Sequence, residues 1–221
     1  MEKITVYGAI LSPFVRKVRL ALALKGVAYD NVLVLPVPGG DKPQEFVANS
    51  PLGKIPLLRV GDDYISGSGV MCAWLEREVP QPALLPEDNM AAARALWFQE
   101  YADSRMVPVV GGHLFAEVVL AKAVFQREPI QSDIEMALNV EIPEILDYLE
   151  SQLHGDYLVG EALSLADIAV GGQFLTLLHC QYEIDAVSWP KVAAYSNRLL
   201  GHPVFAKTLA EEQEFQSAFG A

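Results

Sequence analysis

The spacing of apolar residues changes character after residue 80, and this change predicts two units. Before that point, short runs rich in β-branched residues alternate with stretches in which apolar residues recur at helical spacing. This alternation predicts a small mixed α/β layer. Its predicted elements are a strand at 3–7, a helix at 12–25 that stops at Gly26, a strand at 30–35, a short helix at 43–48, an antiparallel hairpin at 55–60 and 64–66, and a helix at 67–78.

A proline-rich stretch separates this layer from the rest of the chain. Residues 79–86 contain three prolines, which lack the backbone donor of a helix and keep their neighbours extended. We therefore expect a first domain at 1–79, a linker at 80–87 and an all-helical domain at 88–221. Its predicted helices are 89–125, with a break at Pro108 or at Gly111 and Gly112, and 132–153, 164–179, 190–200 and 203–212.

The composition fits a folded protein and excludes two classes. Hydrophobic residues make up 52% of the 221 residues and charged residues 20%, which excludes a disordered chain. No uninterrupted apolar run approaches the ~20 residues of a membrane-spanning helix, so no membrane protein is expected. The N-terminus has neither a basic leader nor a small-residue cleavage site, so no signal peptide is expected.

Charge is distributed unevenly between the two predicted domains. The formal net charge is −12, yet residues 1–80 hold 9 Lys and Arg against 8 Asp and Glu. An acidic surface repels phosphates, so we expect no nucleic-acid or anionic-membrane partner. The two cysteines, Cys72 and Cys180, are far apart, and the four histidines lack metal-ligand spacing. A cytoplasmic protein with reduced thiols and no metal is therefore expected.

Ser12 and Pro13 open the first predicted helix. Ser at the N-cap followed by Pro at the first helical position is a common helix start, and from the residues alone this structural interpretation is the stronger one. The same geometry also suits chemistry. A hydroxyl at the positive end of a helix donates a hydrogen bond to a thiolate and lowers the pKa of the thiol.

Two further segments bracket the predicted hairpin. Residues 49–58 contain Pro51 and Pro56, which fix a bend before a strand. Residues 66–69 read Ser-Gly-Ser-Gly and open the next helix, where exposed backbone N–H groups suit a carboxylate or a phosphate. Each segment alone is accounted for by a loop or an N-cap.

Together these segments resemble the cytosolic glutathione transferases over nearly the whole chain. The resemblance rests on Ser12-Pro13-Phe14 with the basic residues that follow, on residues 49–58, on Ser68, and on Ser-Leu-Ala-Asp at 164–167. It favours the serine-type classes of the family: phi, tau, theta and zeta. It implies a thioredoxin-like α/β N-terminal domain and an all-α C-terminal domain, the latter with a capping box at 164–167.

The resemblance also implies a reaction. Ser12 would donate a hydrogen bond to the sulfur of glutathione, the co-substrate, and stabilise the thiolate for attack on an apolar electrophile. No general base would be needed. Ile55, before a cis Pro56, would pair its backbone with the cysteinyl part of glutathione as an added strand does.

The remaining implied contacts hold the two ends of the peptide. Ser68, with the backbone of Gly67 beside it, would hold the γ-glutamyl carboxylate at the helix end. Lys42 and Lys54 stand where family members contact the peptide and its glycine carboxylate. The resemblance implies a detoxifying transferase that acts as a homodimer.

Two residues depart from the family pattern. An acid usually precedes the serine at position 68, where this chain has Gly67. A phi-like pattern has a basic residue at position 41, where this chain has Asp41. Both changes remove favourable contacts with glutathione. The alternative interpretation is therefore a non-catalytic glutathione-transferase-like binding or interaction module with an altered peptide site.

Overall fold

A four-stranded sheet organises the first of two units in the computed structural model, which describes residues 2–35 and 42–219. The strands are β1 (Ile4–Tyr7), β2 (Asp30–Val32), β3 (Leu57–Val60) and β4 (Asp63–Ser66). Their order in the sheet is β2-β1-β3-β4. β1 is parallel to β2 and antiparallel to β3, which forms an antiparallel hairpin with β4. This is the mixed sheet that the sequence predicts.

The described residues of this unit also form three helices: α1 (Pro13–Leu24), α2 (Gln44–Asn49) and α3 (Ser68–Glu78). Every residue of α1 from 15 to 22 is buried, including Arg16, Lys17 and Arg19, so burial is not confined to the apolar row that the helical spacing predicts. α1 contacts α3. Three strands are shorter than predicted, β1 by one residue, β3 by two and β2 by three. Of the predicted strand 30–35, residues 30–32 pair with β1. β3 begins at Leu57, which pairs with Tyr7 at the end of β1.

Lys25, directly after α1, is a buried cation at the end of this unit. Its Nζ lies 2.7 Å from Glu76 Oε2 and donates to the carbonyl oxygens of Val79 and Pro82 at 2.6 and 2.8 Å. Glu76 also accepts a hydrogen bond from the backbone N–H of Leu84 at 3.0 Å. Because a buried ammonium requires acceptors for its three N–H groups, Lys25 holds the segment after α3 against the end of α1.

The second unit, residues 85–221, is helical in the part that the structure describes, and the chain divides after Leu84. α8 forms its centre, because every residue from 165 to 177 is buried. The elements are α4 (Asn89–Tyr101), a π-helical segment π1 (Ala102–Leu120), α5 (Ala121–Ala123), α6 (Gln131–Met136), a second π-helical segment π2 (Ala137–Glu141), α7 (Ile142–Gln152), α8 (Leu165–His179), α9 (Pro190–Gly201) and α10 (Pro203–Phe219).

The predicted break in the first long helix is wrong. Asn89–Ala123 is continuous, and the stretch that contains Pro108, Gly111 and Gly112 winds as π1. Proline removes one i→i−4 hydrogen bond, and the wider i→i+5 winding carries the helix past it. By length and composition these 35 residues suffice to cross a membrane, and 39% of the most apolar window is buried. Both α4 and π1 contact α8, as segments of a core helix do.

The capping box predicted at the start of α8 is confirmed. Asp167 is completely buried, and its carboxylate accepts from the backbone N–H of Ser164 at 2.8 Å and of Leu158 at 3.0 Å. The Tyr195 hydroxyl donates to it at 2.7 Å, which ties α9 to the start of α8. Burial raises the pKa of Asp167, and these hydrogen bonds oppose the rise. α10 extends beyond the predicted end at 212 to Phe219.

Glu117, in the middle of π1, is a second buried carboxylate. Arg127 donates to both of its oxygens, at 2.6 and 2.5 Å, and the backbone N–H of Ile130 donates at 2.7 Å. These hydrogen bonds, led by the one from Arg127, lower the pKa of Glu117 to about 2. The loop between α5 and α6 is therefore tied to π1 through one carboxylate.

Replacing Lys25 by Met should destabilise the protein by ~3 kcal/mol, because it leaves Glu76 and two carbonyl oxygens without their buried cation. Lys3→Met is the matched control, since Lys3 pairs with Asp30 but is 79% exposed, and it should cost less than ~1 kcal/mol. Denaturant unfolding of both variants measures the difference. Equal stabilities for the two variants would contradict the proposed role of Lys25.

Glu117→Gln should remove a pH-dependent part of the stability. The pKa of Glu117 falls from 4.5 to about 2 on folding, so its contribution is present above pH 4.5 and is lost as the pH falls towards 2. We expect the variant to be less stable than wild type at pH 7 and the gap to close between pH 5 and 2. Glu128→Gln, at an exposed position, is the control. A gap that stays constant with pH would refute this assignment.

Candidate functional site

Three chain segments meet at one end of the sheet in the first unit. Tyr7, the last residue of β1, pairs with Leu57, the first residue of β3, and Leu57 pairs with Ser66, the last residue of β4. The segments that leave this row are therefore neighbours. They are the turn from β1 to Ser12, the Ile55-Pro56 segment before β3, and the Gly67-Ser68 start of α3.

Ser12 occupies the N-cap of α1, with Pro13 as the first helical residue, as the sequence predicts. The backbone carbonyl of Ser12 accepts the N–H of Arg16 at 2.8 Å, and its own N–H donates to Ala9 at 3.0 Å. Its side chain, however, makes no capping hydrogen bond. The half-buried hydroxyl is thus placed at the positive end of α1 without being used by the helix.

Gly8 is the point at which this turn contacts the Ile55 segment. A Cβ atom at Gly8 would lie 2.5 Å from Val15 Cγ2 and 3.3 Å from Ile55 Cβ. No side chain fits there without displacing one of these neighbours. The absence of a side chain at Gly8 therefore allows the start of α1 to approach Ile55 closely.

Ile55 and Pro56 are buried, and the peptide bond between them is cis, as the resemblance implies. Ile55 lies beyond the last residue of β3 that pairs with β1. The loop before it is closed by a hydrogen bond from the Ser50 hydroxyl to the carbonyl of Lys54 at 3.0 Å. Lys54 is exposed, so its ammonium is accessible to solvent beside Ile55.

The start of α3 combines an exposed glycine with a buried serine. Gly67 is the N-cap of α3, with φ 90° and ψ 115°. Ser68, the first helical residue, is only 6% exposed. A Cβ at Gly67 would meet nothing closer than Val70 Cγ2 at 3.6 Å. Space is therefore available at position 67, but the positive φ strains any other residue there.

A polar contact at this end of the sheet was not predicted from the sequence. The Tyr7 hydroxyl donates a short hydrogen bond to Glu45 of α2, and Arg59 of β3 lies 3.5 Å from the same carboxylate. Burial, followed by the bond to Glu45, raises the pKa of Tyr7. These contacts hold α2 against the sheet. No local pattern signals them, because Tyr7 and Glu45 are 38 residues apart.

Six of the predicted site residues lie on the three segments at this end of the sheet, and the seventh, Lys42, lies outside them. Lys42 is half-buried two residues before α2. Asp41 lies outside the described residues. Among the residues that the structure describes, no group of His, Cys, Asp and Glu side chains is arranged to hold a metal ion. The six residues in the region are Ser12, Lys54, Ile55, Pro56, Gly67 and Ser68.

Comparison with known proteins settles the family. The family model for the glutathione S-transferase N-terminal domain matches residues 6–83, and that for the C-terminal domain matches residues 117–203. Glutathione S-transferase 4 of Zea mays is 30% identical over 92% of this chain and 91% of its own length. The chain belongs to the glutathione S-transferase family. The resemblance stated from the sequence and the predicted fold are therefore confirmed.

A second relative and a solved structure match this chain over nearly its whole length. Glutathione S-transferase Z1 of Arabidopsis thaliana is 27% identical over 96% of this chain and 94% of its own. The structure of glutathione S-transferase-I bound with lactoylglutathione superimposes with a TM-score of 0.83 at 25% identity, covering 94% of this chain and 99% of that one. Both units of this transferase-family chain thus have their counterparts in known members.

Gly8→Ala should disturb the start of α1 and the position of Ile55 together. The new Cβ lies 2.5 Å from Val15 Cγ2, and overpacking of this kind costs about 1–3 kcal/mol. Gly155→Ala is the matched control, because a Cβ there meets nothing within 4 Å. Thermal unfolding and titration with glutathione should show lower stability and weaker binding for Gly8→Ala only. Unchanged values for Gly8→Ala would show that the close contact is not required.

Proposed function

We propose that the protein is a glutathione S-transferase that activates the glutathione thiol with Ser12 and transfers the peptide to an apolar electrophile. One observation carries the proposal. The Ser12 hydroxyl stands at the N-terminus of α1 without capping it, at the sheet end where the Ile55-Pro56 segment and the start of α3 also lie.

The chemistry follows from the position of the hydroxyl. Ser12 donates a hydrogen bond to the glutathione sulfur, and the positive end of α1 favours negative charge at the same place. Both effects stabilise the thiolate, so the thiol pKa falls towards neutrality and the proton leaves to solvent. The thiolate then attacks the electrophilic carbon, forming the S–C bond while any leaving group departs with its electron pair.

The rest of the peptide is held by groups on the neighbouring segments. The backbone of Ile55, which extends beyond the pairing with β1, binds the cysteinyl part as an added strand. Ser68 and the N–H groups at the start of α3 bind the γ-glutamyl carboxylate. Lys42 and Lys54 bind the glycine end through charge-assisted hydrogen bonds. We further propose that the enzyme is a cytoplasmic homodimer with a detoxifying role.

A non-catalytic binding module is the second candidate. Gly67 favours it, because this position supplies no side chain to the peptide site. Calorimetric titration with glutathione separates the two candidates. A binding isotherm at micromolar to millimolar concentration supports the enzyme, whereas no heat at millimolar glutathione would overturn it and leave the module.

Ser12→Ala should lower the rate of conjugation with a generic apolar electrophile tenfold or more near neutral pH. Loss of the hydrogen bond raises the pKa of the bound thiol, and one pKa unit corresponds to ~1.4 kcal/mol. Absorbance of the bound thiolate, followed against pH, measures this pKa directly. Because the hydroxyl makes no capping bond, the melting temperature should stay within ~2 °C of wild type.

Ser66→Ala provides the matched control for this experiment. It removes a hydroxyl at the same end of the sheet, one that donates to the carbonyl of Asn49 rather than pointing from a helix N-cap. Its thiolate pKa should equal that of wild type. A Ser12→Ala enzyme with wild-type rate and thiolate pKa would refute the proposed role of Ser12, even if glutathione still binds.

A further inference from the structure

The start of α3 offers a partner for one of the two charges of a γ-glutamyl group. Such a group carries a carboxylate and, on the same carbon, an ammonium. Under the proposed function the carboxylate lies at Ser68, where the buried hydroxyl and the helix N–H groups act as donors. An ammonium requires an acceptor, preferably a carboxylate, within hydrogen-bond distance.

Gly67, the residue adjacent to that position, supplies no such acceptor from a side chain. Its φ of 90° and ψ of 115° place it in a backbone region that glycine adopts without strain. Its carbonyl oxygen already accepts the N–H of Met71 at 3.0 Å, as the first hydrogen bond of α3. The carbonyl of Gly67 is therefore used by the helix, and the N-cap offers no side-chain acceptor to the ammonium.

Four of the acids in the described part of the first unit are engaged by cations. Glu45 accepts from Tyr7 and lies 3.5 Å from Arg59, which also lies 3.8 Å from Asp62. The other two ion pairs are Asp30 with Lys3 at 2.8 Å and Glu76 with Lys25 at 2.7 Å.

The three other described acids of this unit are remote from Ser68. Asp63 starts β4 at the opposite end from Ser66, about 10 Å away along the strand. Glu78 ends α3, about 15 Å along the helix from Ser68. Glu2 lies against Gly61 in the hairpin turn. In residues 2–35 and 42–84, then, each carboxylate is either paired with a cation or remote from Ser68.

We infer that the peptide site takes thiol peptides by the carboxylate of their acyl end and does not use the α-ammonium, so that glutathione and its deaminated form, glutaryl-cysteinyl-glycine, are equivalent ligands. The inference rests on the proposed function, because it assumes that Ser68 holds this carboxylate. The substrate class it names is acyl-cysteinyl thiols with a free terminal carboxylate, with or without the neighbouring amine.

The test is a pair of calorimetric titrations of the full chain at 0.15 M salt, about the physiological ionic strength, with glutathione and with glutaryl-cysteinyl-glycine. The two dissociation constants should agree within about twofold, or favour the deaminated peptide, since a charge-assisted hydrogen bond to the ammonium would otherwise be worth roughly tenfold. A preference of tenfold or more for glutathione would overturn the inference by showing that the ammonium has an acceptor elsewhere. Failure of both peptides to bind would instead overturn the proposed function.

Two variants at position 67 sharpen this test. Gly67→Ala and Gly67→Glu carry the same backbone strain, so the ratio of the two dissociation constants within each variant cancels it. We expect Gly67→Ala to keep the wild-type ratio and Gly67→Glu to shift it about fivefold or more towards glutathione, because the new carboxylate pairs only with the ammonium. An unchanged ratio in Gly67→Glu would place the ammonium away from position 67 and refute the placement of the γ-glutamyl group at Ser68, on which the inference rests.

Discussion

The candidate site depends on the close packing of Gly8 against Val15 and Ile55. The chain must leave β1, turn and enter α1 within five residues, and the turn must pass directly against Ile55. Only a residue without a side chain leaves room, because a Cβ would come within 2.5 Å of Val15. The approach of the turn after β1 to the Ile55 segment is thus limited by packing at Gly8.

Buried charges fix the parts of each unit that apolar packing leaves undetermined. Lys25 holds the segment after α3, Asp167 joins the start of α8 to α9, and Glu117 anchors the loop after α5. Each of these groups has several partners, as a buried charge requires. Hydrophobic burial tolerates many arrangements of a loop, whereas an ammonium or carboxylate with three specific partners accepts few. These contacts therefore fix the positions of the attached segments in addition to stabilising the folded state.

The start of α3 shows how a backbone requirement limits the chemistry of a site. The N-cap of this helix has φ 90°, which favours glycine, and glycine brings no carboxylate. An acid at this position would gain a charged contact with a ligand and would bear backbone strain in the folded protein, with or without the ligand. This chain has the unstrained residue, so position 67 contributes no carboxylate to the candidate site.

The sequence by itself determined the order of elements, the division into an α/β and a helical part, and the local signatures at Ser12-Pro13, Ser68 and Ser164–Asp167. Each of these depends on neighbours within a few residues, where periodicity and capping chemistry act. Only the tertiary structure showed that Ser12 leaves its hydroxyl unused, that Gly67 has a positive φ, that α2 is held through Tyr7 and Glu45, and that the helix passes Pro108 as π1. The physical reason is that these features arise from groups distant in sequence, or from backbone angles and windings that several local sequences can adopt, and packing selects among them.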